Sequence, residues 1–158
     1  MIAIQFQKRD FEYDVYNLVK SFYPEEEIAL FDDDSPAAEY DEKISLFYGK
    51  NKINIRIERV SGDRKRQEEG VWLTEEMKER KARKNQTKML LYHMLQKRTG
   101  QELPWGTLTG VRPTKIPMAL IDAGHSNVET AKIMREQYLV SREKTALAIS
   151  ITNRERHI

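Results

Sequence analysis

Three histidines, an acidic triplet, a basic run and one dense loop are the places where this chain could do chemistry. His93, His125 and His157 are far apart, and none stands in a metal-ligand spacing such as H-E-x-x-H. His93 falls among apolar helix positions, which predicts a packed or half-buried ring more than a general base. His125 follows Gly124 at a helix junction and reads as a turn residue, while His157 lies at the terminus. Asp32-Asp33-Asp34 could attract a cation but lacks the spaced ligands and trailing Glu of a calcium loop, so a solvated turn is expected. There is no G-x-S-x-G elbow and no glycine-rich phosphate loop. There is also no cysteine, so this chain by itself has no disulfide, cysteine nucleophile, thiolate zinc site or thiolate-held iron–sulfur cluster.

Two segments keep more than one reading open. Lys78, Arg80, Lys81, Arg83, Lys84 and Lys88 spread around much of a helix at about 100° per residue. A solvated face of a long helix is the first reading, and a groove for nucleic acid is the competing one. A capped helix from Ser126, a link through Tyr138-Leu139-Val140 and a second helix from Ser141 match a helix-turn-helix in outline, but any small bundle can look the same. Val128, Ala131, Met134, Leu147 and Ile151 are expected to be core there. The second segment, Leu103 to Lys115, packs a tryptophan, two glycines, two prolines and a guanidinium into one loop. Its glycines allow positive φ or close backbone approach. Pro113 keeps Arg112 out of helical geometry, just ahead of a helix start. Trp105 is expected as a core plug. Arg112 and Lys115 stand evenly between internal anchoring and a docking surface for another domain, so Trp105, Arg112 and Lys115 are the candidate docking residues.

The elements that must position these residues follow from periodicity. Ile2, Ile4 and Phe6 alternate as a strand. Asp10 could cap a helix with the stripe Phe11, Val15, Leu18, Val19 and Phe22, stopped by Pro24. Glu27–Phe31 forms a second strand, expected to pair in parallel with the first through a right-handed crossover. Ile44, Leu46 and Tyr48, then Ile53, Ile55 and Ile57, form a hairpin around Gly49–Lys52. Residues 61–73, with Ser61, Gly62, Asp63 and Gly70, read as a polar connection. After it only helices are expected. One is capped at Thr74, with Glu75 and Glu76 in its first turn, and runs to about Arg98 before Gly100. A short one follows Pro113 and ends near Gly124. One opens on the Ser126/Glu129 capping box and runs through Met134, and one starts at Ser141. The fold class is therefore α+β: a small β-sheet with one crossover helix at the N-terminus, then an all-helical C-terminal region. The expected division is residues 1–60, a connection at 61–73, and 74–158.

Charge supports a two-part reading. Residues 1–60 hold 8 Lys/Arg and 13 Asp/Glu, and residues 61–158 hold 19 and 12. Charged residues reach 33% of the 158, yet the apolar share of 39% still supports a core. No apolar run approaches the ~20 residues needed to span a bilayer, and the N-terminus lacks a signal-peptide pattern. The expectation is a cytoplasmic protein with no membrane partner.

Pro-Trp-Gly-Thr-Leu-Thr-Gly-Val-Arg-Pro-Thr-Lys, residues 104–115, resembles the motif upstream of the catalytic domain in one branch of the oxygen-independent coproporphyrinogen III oxidases, also called coproporphyrinogen dehydrogenases. Gly124-His125-Ser126, Glu136 to Ser141, Glu143 to Leu147 and Asn153 to Arg156 are similar too. The likeness is strong over roughly the last third, and the acidic front fits in order and length. The resemblance implies a longer enzyme of heme and porphyrin biosynthesis, a radical-SAM oxidoreductase. In that family a C-x-x-x-C-x-x-C motif binds a [4Fe–4S] cluster that cleaves S-adenosylmethionine. This chain holds none of those cysteines, so it is expected to be a truncated, non-catalytic N-terminal accessory or docking region. Its implied partner is the radical-SAM domain of the same polypeptide, and no catalytic, cofactor-binding or metal-binding residue carries over. A nucleic-acid binding module built on the basic helix and the last helix pair is the alternative from another functional class.

Overall fold

A computed structural model describes residues 1–32, 40–61, 64–73, 80–108 and 112–156. Asp33 and Asp34 of the expected acidic turn, Gly62 and Asp63, the cap at Thr74 with Glu75 and Glu76, Lys78, and His157 lie outside the described residues, while Asp32 ends a strand.

The fold class is α+β, as the periodicities require. The elements are β1 (Ile2–Phe6), α1 (Glu12–Phe22), β2 (Ile28–Asp32), β3 (Glu42–Tyr48), β4 (Lys52–Ser61), β5 (Arg64–Leu73), α2 (Arg80–Thr99), α3 (Lys115–Asp122), α4 (Asn127–Gln137) and α5 (Arg142–Arg156). The chain forms two compact units, Met1–Thr99 and Gly100–Ile158.

The first unit is a five-stranded sheet in the order β2-β1-β3-β4-β5. β1 pairs in parallel with β2 and with β3, and the β3-β4-β5 ladder is antiparallel. Parallel pairing of β1 and β2 requires a long crossover, which α1 supplies. The register places Leu30, Ile4, Ile44 and Ile57 in one transverse row, and Phe6, Leu46, Ile55 and Gly70 in the next. Side chains alternate across a strand, so both rows share one face. Ile4, Ile44, Leu46, Ile55 and Ile57 are fully buried, each worth roughly 1.5–3 kcal/mol over exposure. Val15, Leu18, Val19 and Phe22 of α1 join them in the core, as do Leu91 and Leu95 of α2.

Two expectations are corrected in this unit. Asp10 does not cap α1: the N-cap is Phe11, in the left-handed region at φ 59°, with no side-chain hydrogen bond. Asp10 instead accepts from Arg80 Nη1 at 3.2 Å. Residues 61–73 are not a polar connection, because Arg64–Leu73 is β5 and the first unit runs on to Thr99. The pattern misled because β5 is an edge strand, on which Glu68 and Glu69 find cationic partners in Arg98 and Arg56. Glu69 lies opposite Arg56 and accepts its guanidinium at 2.7 Å. Gly70 leaves room for α2: a Cβ there would meet Met94 Sδ at 2.5 Å.

The second unit packs α3, α4 and α5 around Met134, Tyr138, Val140 and Ala148. Ser126 Oγ accepts from Glu129 N–H at 3.1 Å, and Ser141 Oγ accepts from Lys144 N–H at 3.2 Å, so both caps form as expected. Pro117 is tolerated in the first turn of α3, where its missing N–H has no intrahelical acceptor. Of the expected core residues, Met134 is fully buried and Ala131 and Ile151 are half-buried, but Val128 and Leu147 face outward at 81% and 45% exposure. Thr130, Thr145 and Thr152 take the inward positions instead.

Candidate docking site

The loop from Leu103 is held by its backbone. Gly106 N–H donates to Leu103 O at 2.9 Å and Leu108 N–H to Trp105 O at 3.0 Å, so the chain folds back at Trp105-Gly106. The fold sits against the α4–α5 link. Thr107 N–H donates to Tyr138 O at 2.8 Å, its hydroxyl to the same oxygen at 3.2 Å, and Ser141 N–H to Pro104 O at 2.9 Å. Gly106 has φ +58°, and a Cβ on it would lie 2.1 Å from Tyr138 O and 2.4 Å from Leu139 O. Only glycine fits this contact. Leu139 is itself left-handed, at φ 59°, which turns the link toward the loop. Tyr138 and Leu139 carry no sequence signal of this role beyond lying between two capped helices. Gly106 fits the expectation that the loop glycines allow positive φ or close backbone approach.

Trp105 is half-buried and packs on the cluster around Met134, Tyr138, Val140 and Ala148. The Lys144 ammonium stands 5.6 Å from its ring centre, within cation–π range. Trp105 therefore closes the core of this unit and leaves one part of its ring to solvent. Arg112 and Lys115 are exposed, and among the described residues neither meets a carboxylate. Lys115 N–H donates to Arg112 O at 3.0 Å, so the two basic side chains leave adjacent corners of one turn at the start of α3. Thr109, Gly110 and Val111 lie outside the described residues. The loop thus separates into an anchored part, 104–108, and an exposed basic turn, 112–115.

The remaining sequence candidates resolve differently. His93 is exposed, not packed. The local pattern suggested burial because Leu91, Tyr92 and Leu95 are its neighbours, but 100° per residue carries position 93 off their face. His125 Nδ1 lies 3.1 Å from Glu129 Oε2, an exposed contact at the start of α4. Part of the basic run makes contacts within its own unit. Arg80 pairs with Asp10 and lies 4.7 Å over Phe11, while Arg83 donates to Gly49 O and lies 5.5 Å over Tyr48. Lys88 is buried 3.7 Å from Asp14, and Arg98 pairs with Glu42 and Glu68. The helix thus commits Lys88 and Arg98 to contacts inside its own unit. Among the described residues no group of three or more His, Asp or Glu could hold a metal, and no helix is long and apolar enough to cross a membrane.

No family profile matches the chain. The chain is similar to the oxygen-independent coproporphyrinogen-III oxidase-like proteins. The particular relative is the oxygen-independent coproporphyrinogen-III oxidase-like protein HemZ of Bacillus subtilis, 29% identical over 143 residues. The match takes in 88% of this chain and 28% of that protein, so the chain spans under a third of the relative's length. Among solved structures, protein VC0702 of Vibrio cholerae aligns with 99% of this chain and 98% of its own, at 12% identity and a TM-score of 0.29.

Proposed function

We propose that this chain is a non-catalytic accessory region of a larger coproporphyrinogen oxidase-like enzyme, and that its basic turn at Arg112 and Lys115 docks on the catalytic part of that enzyme. The observation that carries this reading is the contrast inside one loop. Residues 104–108 are locked to the α4–α5 link, while 112–115 present two cations without partners among the described residues. The partial match to a much longer relative supports the accessory role.

The [4Fe–4S] cluster and S-adenosylmethionine implied for such an enzyme belong to its other part. The donor set here does not fit a cluster of that kind, since thiolates hold it and this chain has none. The task left to this chain is to bind and orient. Rim charges of this sort act mostly on encounter and register, so their loss should weaken docking more than it alters either partner's fold.

The test is association of this chain with the separately expressed remainder of the full-length protein. Arg112→Glu with Lys115→Glu should weaken that association about tenfold or more, while leaving the thermal unfolding of this chain within about a degree. Equal binding by the double variant would overturn the docking role of this turn.

A further inference from the structure

The start of α3 concentrates unsatisfied donors in one turn. Lys115 N–H donates to Arg112 O at 3.0 Å, which closes a four-residue turn. The ends of such a turn lie within about 7 Å of each other, so a guanidinium and an ammonium can reach one common group. Both residues are exposed. The helix behind them has no acid in its first turn. Its N-cap, Thr114, makes no side-chain cap hydrogen bond, and Pro117 in the first turn has no N–H to offer it. Thr114 is only 6% exposed, and among the described residues its hydroxyl has no partner. Ile116 N–H also finds no acceptor among them.

Each of these features runs against the rules for a helix start. The positive end of the helix dipole favours anions and is destabilised by cations. A buried hydroxyl without a partner is destabilising as well. Thr109, Gly110 and Val111, the neighbouring residues that are not described, contain no acid to offset the charge. One bound oxyanion answers all of them, because helix N-termini seat such groups through free N–H donors and the dipole. A carboxylate brings two oxygens and one charge. A phosphoryl group brings three oxygens and nearly two charges, which suits two cations and two neutral donors better. We infer that the turn Arg112–Ile116 binds the phosphoryl group of a phosphate monoester. The Arg112 fork and the Lys115 ammonium neutralise its charge, and the Thr114 hydroxyl and Ile116 N–H donate to its oxygens. The site shares the turn assigned to docking but needs no second polypeptide.

The probe is inorganic phosphate, titrated at constant ionic strength into the full 158-residue chain and followed by amide resonances. The Ile116 amide should shift saturably, and the amides of β1 to β5 should not move. Phenyl phosphate should displace the inorganic ion from the same amide. Acetate should bind at least tenfold more weakly, about the difference that the extra charge and oxygen make. Arg112→Gln with Lys115→Gln should weaken phosphate binding about tenfold or more. Thr114→Val should weaken it about fivefold, and Thr114→Ser, which keeps the hydroxyl, should restore it. Shifts that never saturate, acetate binding as tight as phosphate, or full binding by the double glutamine variant would each overturn the inference. The double variant changes exposed residues only, so it decides the matter even if Thr114→Val fails to fold. Phosphate binding without association of the remaining polypeptide would remove the docking role and keep this site, and association without phosphate binding would do the reverse.

Discussion

Gly106 and Gly100 have nearly the same backbone angle, φ +58° and +69°, yet they carry different constraints. A Cβ at Gly100 would meet nothing within 4 Å, so Gly100→Ala costs only the left-handed strain, about 1 kcal/mol. Gly106→Ala adds a collision with the Tyr138 and Leu139 backbone, which cannot swing aside as a side-chain tip can. Its expected cost is about 3 kcal/mol in urea unfolding of the second unit. Equal costs for the two variants would remove the close contact from the explanation. Lys88 gives a pH signature. Burial pushes its ammonium pKa down from 10.5; Asp14 opposes that shift and Lys84 adds to it. Below the lowered folded value both states carry the proton, and the fold bears the whole cost of burying the charge. Between that value and 10.5 the unfolded chain holds more protons, so stability rises with pH across this window. Lys88→Met should stabilise the chain by about 1 kcal/mol at pH 7 and by less at pH 10. A clear loss at pH 7, measured by urea unfolding, would mean that the pair with Asp14 outweighs desolvation.

At the scale of elements, β5 and α2 complete the first sheet rather than follow it. β5 covers the outer edge of β4, and α2 brings Leu91, Tyr92 and Leu95 over the core, with Tyr92 edge-on to Phe22 at 5.2 Å. A fragment of residues 1–60 would leave β4 as a bare edge and part of the apolar face wet. Residues 1–99 are therefore expected to unfold cooperatively in urea, and residues 1–60 to show no cooperative transition by circular dichroism. A folded 1–60 fragment would restore the smaller subdomain that the hairpin pattern suggests.

Across the whole molecule, the charge asymmetry changes meaning once the units are known. Met1–Thr99 holds nineteen Lys/Arg and nineteen Asp/Glu, and Gly100–Ile158 holds eight and six. The acidic front and the basic helix that looked like separate regions neutralise each other within one unit.

Sequence alone was sufficient for the strands and helices with strong apolar periods, for both serine caps, for the special status of Gly106, and for the lack of any thiolate donor. These follow from rules that act within a few residues, or from the covalent formula itself. It was not sufficient for β5, for the outward turn of Val128, Leu147 and His93, or for the burial of Lys88 beside Asp14. Those outcomes depend on which surface covers which. A charged strand is stable beside Arg56, and a threonine can fill a helix interface that a valine leaves open. Contacts between residues far apart in sequence decide such matters, and no local period records them.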